Sequence, residues 1–393
     1  GGVSSMFSVF CQLSTMRLLV VILFFWANET TATILCLDNL RDDSSLNSEL
    51  KTNCDVINIL TFSLNWELGI YKMIPAKAKD VTEKIDIHRK NPSSILNQIV
   101  DLDAILSRSK KFSKCVKVIT IKVDNIKNQM NIKQVTSWEM RMVSRLKAIL
   151  QAIEYDGLIV DTSEVSELNR FNVLDNLLRK AFGDSIRMYF VIPHTLDFKS
   201  TTGIPQPLED SVGVILHTTG YCSQSRTGFN FPSMNESSDL AKFIKYISKH
   251  GIPRDKTFIT LDMKGCRYKL KSQSEHGPGS EAKFVENIIN KEMCSVVNNL
   301  SYDWKYESNF TEYYGHLNND WISLEDHKTL QAKCSFVLKK SLKGFAVRNL
   351  KSGLQFNRNG PLSTLFLEDA RECLSKNKTK KWRTISKRVL SRI

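Results

Sequence analysis

Two carboxylates and two hydroxyls close one short apolar run in this chain: Leu158-Ile159-Val160 is followed by Asp161, Thr162, Ser163 and Glu164. A run of that length suits a strand buried on both faces of a parallel sheet. Acids and hydroxyls clustered at its end suit acid–base chemistry, in which one group carries a proton and another orients the reacting atom. In α/β proteins such groups collect at the carboxyl ends of strands, where the loops form the open face. Tyr155-Asp156-Gly157 leads into the run, and helical patterns flank it on both sides.

The elements that must position this strand are legible in chain order. Thr33 to Leu37, Val56 to Phe62 and Val116 to Val123 read as the first three strands, with the run above as the fourth. Ile186 to Ile192, Val212 to Leu216, Thr257 to Leu261 and Gly344 to Val347 follow as strands five to eight. Helical patterns fall between them. One opens at Pro92, a second behind the capping box Thr136-x-x-Glu139, a third carries Val173, Leu174, Leu177, Leu178, Ala181 and Phe182 and is stopped by Gly183, a fourth is capped by Ser238, a fifth by Ser323, and the last opens at Pro361. Strands alternating with helices, and no two strands joined as a hairpin, imply parallel βαβ units. Eight units over this length imply an α/β fold, a (β/α)8 TIM barrel, with a small α+β insertion after strand seven at about 268–320.

The 393 residues and 42% hydrophobic content suffice for one large core. Met16-Arg17, the apolar Leu18 to Ala27 and the small polar residues up to Ala32 describe a signal peptide, with Met6 or Met16 as the start. The run is too short to span a membrane, and no other stretch qualifies. Residues 1–32 are thus expected to be leader, 33–375 the barrel and 376–393 a basic tail. Sequons at Asn28, Asn235, Asn299, Asn309 and Asn377 fit a secreted glycoprotein, Asn28 being lost with the leader. Nine cysteines, one of them in the leader, leave an even count suited to disulfides. No C-x-x-C or His/Cys cluster is present, so no metal and no cofactor is expected.

The formal charge of +14 is concentrated after Glu372, in Lys376, Lys378, Lys380, Lys381, Arg383, Lys387, Arg388 and Arg392. It belongs to the tail and does not describe a nucleic-acid-binding face. Trp382, Ile385, Val389 and Ile393 recur among those charges at helical spacing, which suits docking on an anionic polysaccharide or lipid surface. A solvated terminus accounts for the same pattern.

Over nearly the whole mature chain the strand ends resemble family 18 glycoside hydrolases, the chitinases and chitinase-like lectins. Glu154 to Ser163 resembles that family's signature D-G-x-D-x-D-x-E on the fourth strand. Val212 to Thr218 resembles its sixth strand, Thr227 to Pro232 the loop after it, and Asp255 to Tyr268 its seventh strand and turn. Trp321 to Asp326 and Lys343 to Val347 resemble the approach to strand eight. The resemblance places Cys36 and Cys54 where the family ties its first two strands together.

The departures fall on the chemistry. The resemblance implies substrate-assisted cleavage, in which the sugar's acetamido oxygen attacks and the signature's last Glu protonates the leaving group. Ser163 stands at that place, and a hydroxyl has no proton to give near neutral pH. Ile159 replaces the middle Asp of the signature, while Asp156 and Asp161 persist. His217 and Thr218 replace a Tyr-Asp pair, Lys122-Val123 a Gly-Gly, and Arg348 the Trp that floors the sugar subsite. Glu164 is one residue out of register and turns to the other face. The expectation is a secreted monomer, catalytically inactive, that binds a chitin-type or anionic polysaccharide or a protein receptor. A divergent glycosidase is the alternative. Trp66, Trp304, Tyr313, Tyr314 and Trp321 are the aromatics available to line an altered groove, although aromatics in such numbers more often pack a core or the insertion.

Overall fold

The structure, a computed structural model, describes residues 32–37, 53–65, 69–72, 112–124, 155–163, 186–194, 204–220, 224–262, 264–288, 301–325, 327–349 and 367–375, together with positions 110, 175, 176, 178–180, 182, 183, 222 and 296. The elements below all belong to the unit Thr33–Ile393. The leader, the helices expected from Pro92 and Thr136, the start of the last helix at Pro361, Glu164, Trp66, Asn299, Asn377 and the basic tail lie outside the described residues.

In chain order the first strands are β1 (Thr33–Cys36), β2 (Val56–Asn65), β3 (Gly69–Lys72), β4 (Val116–Asp124), β5 (Gly157–Asp161) and β6 (Arg187–Pro193). There follow helix α1 (Gln206–Asp210), β7 (Gly213–His217), α2 (Asp239–Lys249), β8 (Thr257–Asp262) and β9 (Gly265–Leu270). Then come β10 (Ala282–Ile288), β11 (Asp303–Glu307), β12 (Glu312–Leu317), β13 (Asp320–Leu324), α3 (His327–Lys339) and β14 (Gly344–Arg348). Residues 367–375 form α4.

Eight of these strands are parallel and follow one another as β1-β14-β8-β7-β6-β5-β4-β2, and the pairing of β1 with β2 closes the ring. Each short strand is apolar because both its faces are covered: β5 is buried at every position, and β7 and β14 at all but the last. Leu35, Val56, Val118, Ile159, Tyr189, Val191, Ile215, Phe258 and Ala346 fill the interior, drawn from every barrel strand. Each of the Val, Leu, Ile and Phe side chains contributes about 1.5–3 kcal/mol when fully buried.

The closing seam is the narrowest pairing, with only Leu35 to Val56 and Cys36 to Ile57 in register. It is stapled by the Cys36–Cys54 disulfide, with Cα atoms 5.9 Å apart, as the resemblance implied. Asp55 reinforces it. Its carboxylate accepts from Ile34 N (2.8 Å) and from the Arg371 guanidinium of α4 (2.9 Å). A second disulfide, Cys334–Cys373, ties α3 to α4. Cys115 is buried beside the seam, its thiol donating to Cys54 O (3.3 Å).

The insertion after β8 is an antiparallel sheet in the order β10-β9-β13-β12-β11. Its inner face packs Tyr268, Trp321, Tyr314 and Phe229 together, and Cys222–Cys266 joins it to the loop after β7. Two local expectations are corrected. β2 turns back into β3 as an antiparallel hairpin, Leu64 facing Ile70, so hairpins are not absent from the barrel sheet. Ser323 does not cap a helix: it is fully buried in β13, where its hydroxyl accepts from Cys266 N (3.2 Å). Trp321 and Tyr314 are core residues of the insertion, the packing reading of those aromatics. Ser238 does cap α2, its hydroxyl accepting from Ala241 N (3.2 Å), and Leu240, Ile244 and Ile247 face inward.

Candidate functional site

Register settles which residues share the barrel mouth. Side chains of one strand alternate faces, so Asp161 lies on the same side as Ile159, one step nearer the carboxyl end. Parallel pairing places Lys122 beside Asp161, Pro193 beside His217, and Asp262 beside Arg348. One layer deeper stand Ile159, Ile215 and Ala346, all apolar. Ile159 is 1% exposed, so the middle position of the signature carries core packing here and no charge.

Gly157 opens the strand where space demands it. A Cβ there would meet Arg187 O at 2.6 Å, too close for any other residue without moving β6. Asp156, just before it, accepts from Lys117 N (2.7 Å) and donates its own N–H to Lys117 O (2.7 Å). It stitches β5 to β4 and stays on the outside of the strand's start. Two of the retained signature residues are thereby explained as strand architecture.

Asp161 is the buried acid at the mouth, and its carboxylate is fully engaged. Arg348 Nη2 donates to Oδ2 (2.7 Å) across the barrel, and Ser163 N donates to Oδ1 (3.1 Å). Burial works against the charged form, but the Arg348 charge and the Ser163 hydrogen bonds outweigh it and hold this carboxyl below the usual carboxylate range. Asp161 is therefore an anion locked to a cation. The position next on the same face, where acid chemistry needs a proton donor, carries the Ser163 hydroxyl.

His217 is no substitute acid at neutral pH. Burial and the neighbouring Arg348 charge push it down to about 4, against the opposing pull of Asp161, so the ring is neutral. His194 lies beside it, with Nδ1 3.3 Å from His217 O, and is likewise lowered, chiefly by burial. Thr218 is wholly structural. Its N–H donates to Thr260 Oγ1 (3.0 Å) and its hydroxyl to Thr260 O (2.7 Å), while Thr260 Oγ1 donates to Leu216 O (2.6 Å). These bonds fasten the end of β7 to β8.

The structure thus brings together Ile159, Asp161, Ser163, His217 and Arg348, and leaves Asp156 and Thr218 to hold strands. Asn235 and Asn309 are both exposed, and Asn235 Nδ2 donates to Asn309 Oδ1 (2.9 Å), so these two sequons meet at one surface point. Sequence reasoning missed two partners at the rim, Asp262 and Asn349, whose side chains bond at 2.7 Å. Among the described residues no cluster of three or more metal-ligating side chains occurs.

The ion pair has a measurable consequence. Replacing Asp161 by Asn leaves the Arg348 guanidinium without its counter-charge, and a charge-assisted hydrogen bond of this kind contributes about 1.5–3 kcal/mol. The folded carboxyl lies below its unfolded value of about 3.9, so its contribution is complete at neutral pH and is lost as pH falls below about 4. Urea midpoints are expected to separate wild type from D161N at pH 7 and to converge at acid pH.

Comparison with known proteins places this geometry. The profile of Glycosyl hydrolases family 18 matches residues 181–352, from just before β6 to just beyond β14. No curated protein matches the chain. Among solved structures, the family GH18 chitinase from Cycas revoluta in complex with allosamidin superposes with a TM-score of 0.64 at 13% identity, covering 87% of this chain and 99% of that one. The Group IV chitinase of Ostrinia furnacalis, also with allosamidin, gives 0.64 at 14%, covering 88% and 99%. A plant class V chitinase mutant from Cycas revoluta in complex with (GlcNAc)3 gives 0.62 at 13%, covering 87% and 99%. Identities this low speak for the shared (β/α)8 fold alone.

Proposed function

We propose that this chain, which belongs to glycoside hydrolase family 18 over residues 181–352, is a secreted chitinase-like protein without hydrolytic activity that works by binding. The observation that carries the reading is the commitment of Asp161 to Arg348 beside Ser163. A glycosidase of this family needs a protonated carboxyl next to the scissile oxygen and a free carboxylate to orient the acetamido group. The mouth of this barrel offers a hydroxyl at the first place and a salt-bridged anion at the second. His217, lowered to about 4, supplies no proton either.

Secretion is supported by the leader-like start, by three disulfides among the described residues and by the exposed sequons Asn235 and Asn309. No helix among the described residues is long and apolar enough to cross a membrane. The ligand is a chitin-type or anionic glycan, or a protein. The chitinase from Cycas revoluta holds (GlcNAc)3, and a mouth of the same fold retains polar groups for hydroxyl and acetamido recognition. Stacking on a central aromatic is replaced by the Arg348 guanidinium.

A glycan array of the secreted protein, with chitin oligomers and anionic polysaccharides, is the test. Retention of N-acetylglucosamine oligomers that is lost in Arg348→Ala assigns the ligand to the barrel mouth. Silence across the array assigns the function to a protein partner. Release of shortened oligomers overturns the reading.

A further inference from the structure

We propose that His276 and His316 form an acid-sensitive latch that holds the β9–β10 connection of the insertion against β12 and opens as the pH falls. The two imidazoles are stacked, with ring centroids 3.7 Å apart and planes 19° apart. They come from positions forty residues apart in the chain, His276 in the connection 271–281 and His316 in β12. Neutral rings stack at this distance. Two imidazolium ions at the same distance repel, in a site where burial already disfavours charge.

The surroundings supply little to absorb a second proton. His276 Nδ1 is buried without a hydrogen-bond partner among the described residues. The Asp303 carboxylate lies 3.3 Å from His316 Nε2 and shares its charge with Lys305 (3.1 Å) on the same strand. From β13 the residue facing His316 is Trp321, which carries no charge. Within the connection, Glu281 is held by Lys271 (2.8 Å), and Glu275 precedes His276 in the chain. Burial, then the neighbouring His276, lowers His316 from its ordinary value, with Asp303 opposing.

The connection is positioned to transmit its release. Trp321 Nε1 donates to His276 O (3.1 Å). Thr227, in the loop after β7, donates its hydroxyl to Gly277 O (2.8 Å) and accepts from Ser280 N (3.0 Å) and Gly279 N (2.9 Å). Three residues further, Asn230 Oδ1 accepts from Gly220 N (2.8 Å), just past His217 at the barrel mouth. Opening the stack therefore loosens the connection, then the loop that frames the mouth. The device rests on the insertion alone and is independent of whether the mouth binds a sugar.

His316 is lowered in the fold, so the sign is fixed. The latch is closed above the unfolded histidine value of about 6.5 and weakens as pH falls below it. Hydrogen exchange near pH 7 and near pH 5, with labelling times scaled to equal intrinsic rates, reads this directly. Peptides over 271–281 and 224–230 are expected to exchange several-fold faster at the lower pH, while peptides over 213–217 do not change. His316→Asn and His276→Asn, made separately, are expected to abolish that pH response. An equal response in either variant, or none in the wild type, overturns the latch. Should a variant fail to fold, an NMR titration of wild-type His316 decides: a value below about 6.5 supports the latch and one at or above it overturns it.

Discussion

Ser163→Glu alone is expected to produce no measurable hydrolysis of N-acetylglucosamine oligomers, although it restores the residue type that the signature demands. The new carboxyl would stand two residues beyond Asp161 on the same face, close to the Arg348 guanidinium that already lies 2.7 Å from Asp161. A nearby cation lowers a carboxyl's proton affinity, and a general acid needs the opposite. The introduced group would be ionised when it should be protonated. Adding Arg348→Trp removes the cation and frees Asp161. The double variant is expected to release product at a measurable initial rate, at least about 10²-fold above the detection floor at which S163E stays, the lower end of the contribution of one positioned acid. Ile159→Asp is a costlier reversal. It sets a carboxylate among Val118, Val191, Ile215 and Ala346, inside the apolar layer of the barrel.

Lys333→Met is expected to lower stability by about 3–5 kcal/mol, read from urea or thermal midpoints, because it breaks a buried ion cluster by removing only its cation. Lys333 is 0% exposed on α3 and meets Glu312 of β12 (3.2 Å) and Glu325 just past β13, with Nζ 4.3 Å above the Phe231 ring. Thr329 donates to the second Glu325 oxygen (3.2 Å), and the loop amides of Asn230 and Phe231 bond Glu312. The cluster thus fastens helix, insertion and the loop of the barrel mouth at one point. Burial pushes Glu312 up and Lys333 down, and the attraction of each for the other offsets part of that desolvation. Without the lysine, Glu312 takes up a proton on folding. The deficit of the variant is therefore expected to shrink as pH falls toward about 4.3, where the unfolded carboxyl also becomes protonated.

Much of the barrel was legible because its strands are apolar on both faces and end at glycine, proline or a polar cluster. The period of two then gave the mouth: with Gly157 starting β5, Ile159 and Asp161 share a face. What escaped sequence reading depends on chain positions far apart. Arg348 reads as a lost aromatic, and only closure of the ring shows that it reaches Asp161, 187 positions away. Lys333 carries no apolar signal, although it lies four residues from Thr329 and from Val337 on one buried face. Ser323 was misassigned because a serine ahead of a periodic apolar segment also fits the interior of a strand whose last four residues are all buried. The β2–β3 hairpin had no turn signature of glycine or proline between Asn65 and Gly69.

Incubating the purified secreted protein with labelled N-acetylglucosamine oligomers tests the central claim most directly. No turnover is expected at any pH from 4 to 8, because Asp161 is salt-bridged, Ser163 has no acidic proton and His217 is neutral over nearly all of that range. Turnover that survives Ser163→Ala and is abolished by Glu164→Ala or His217→Ala would contradict it.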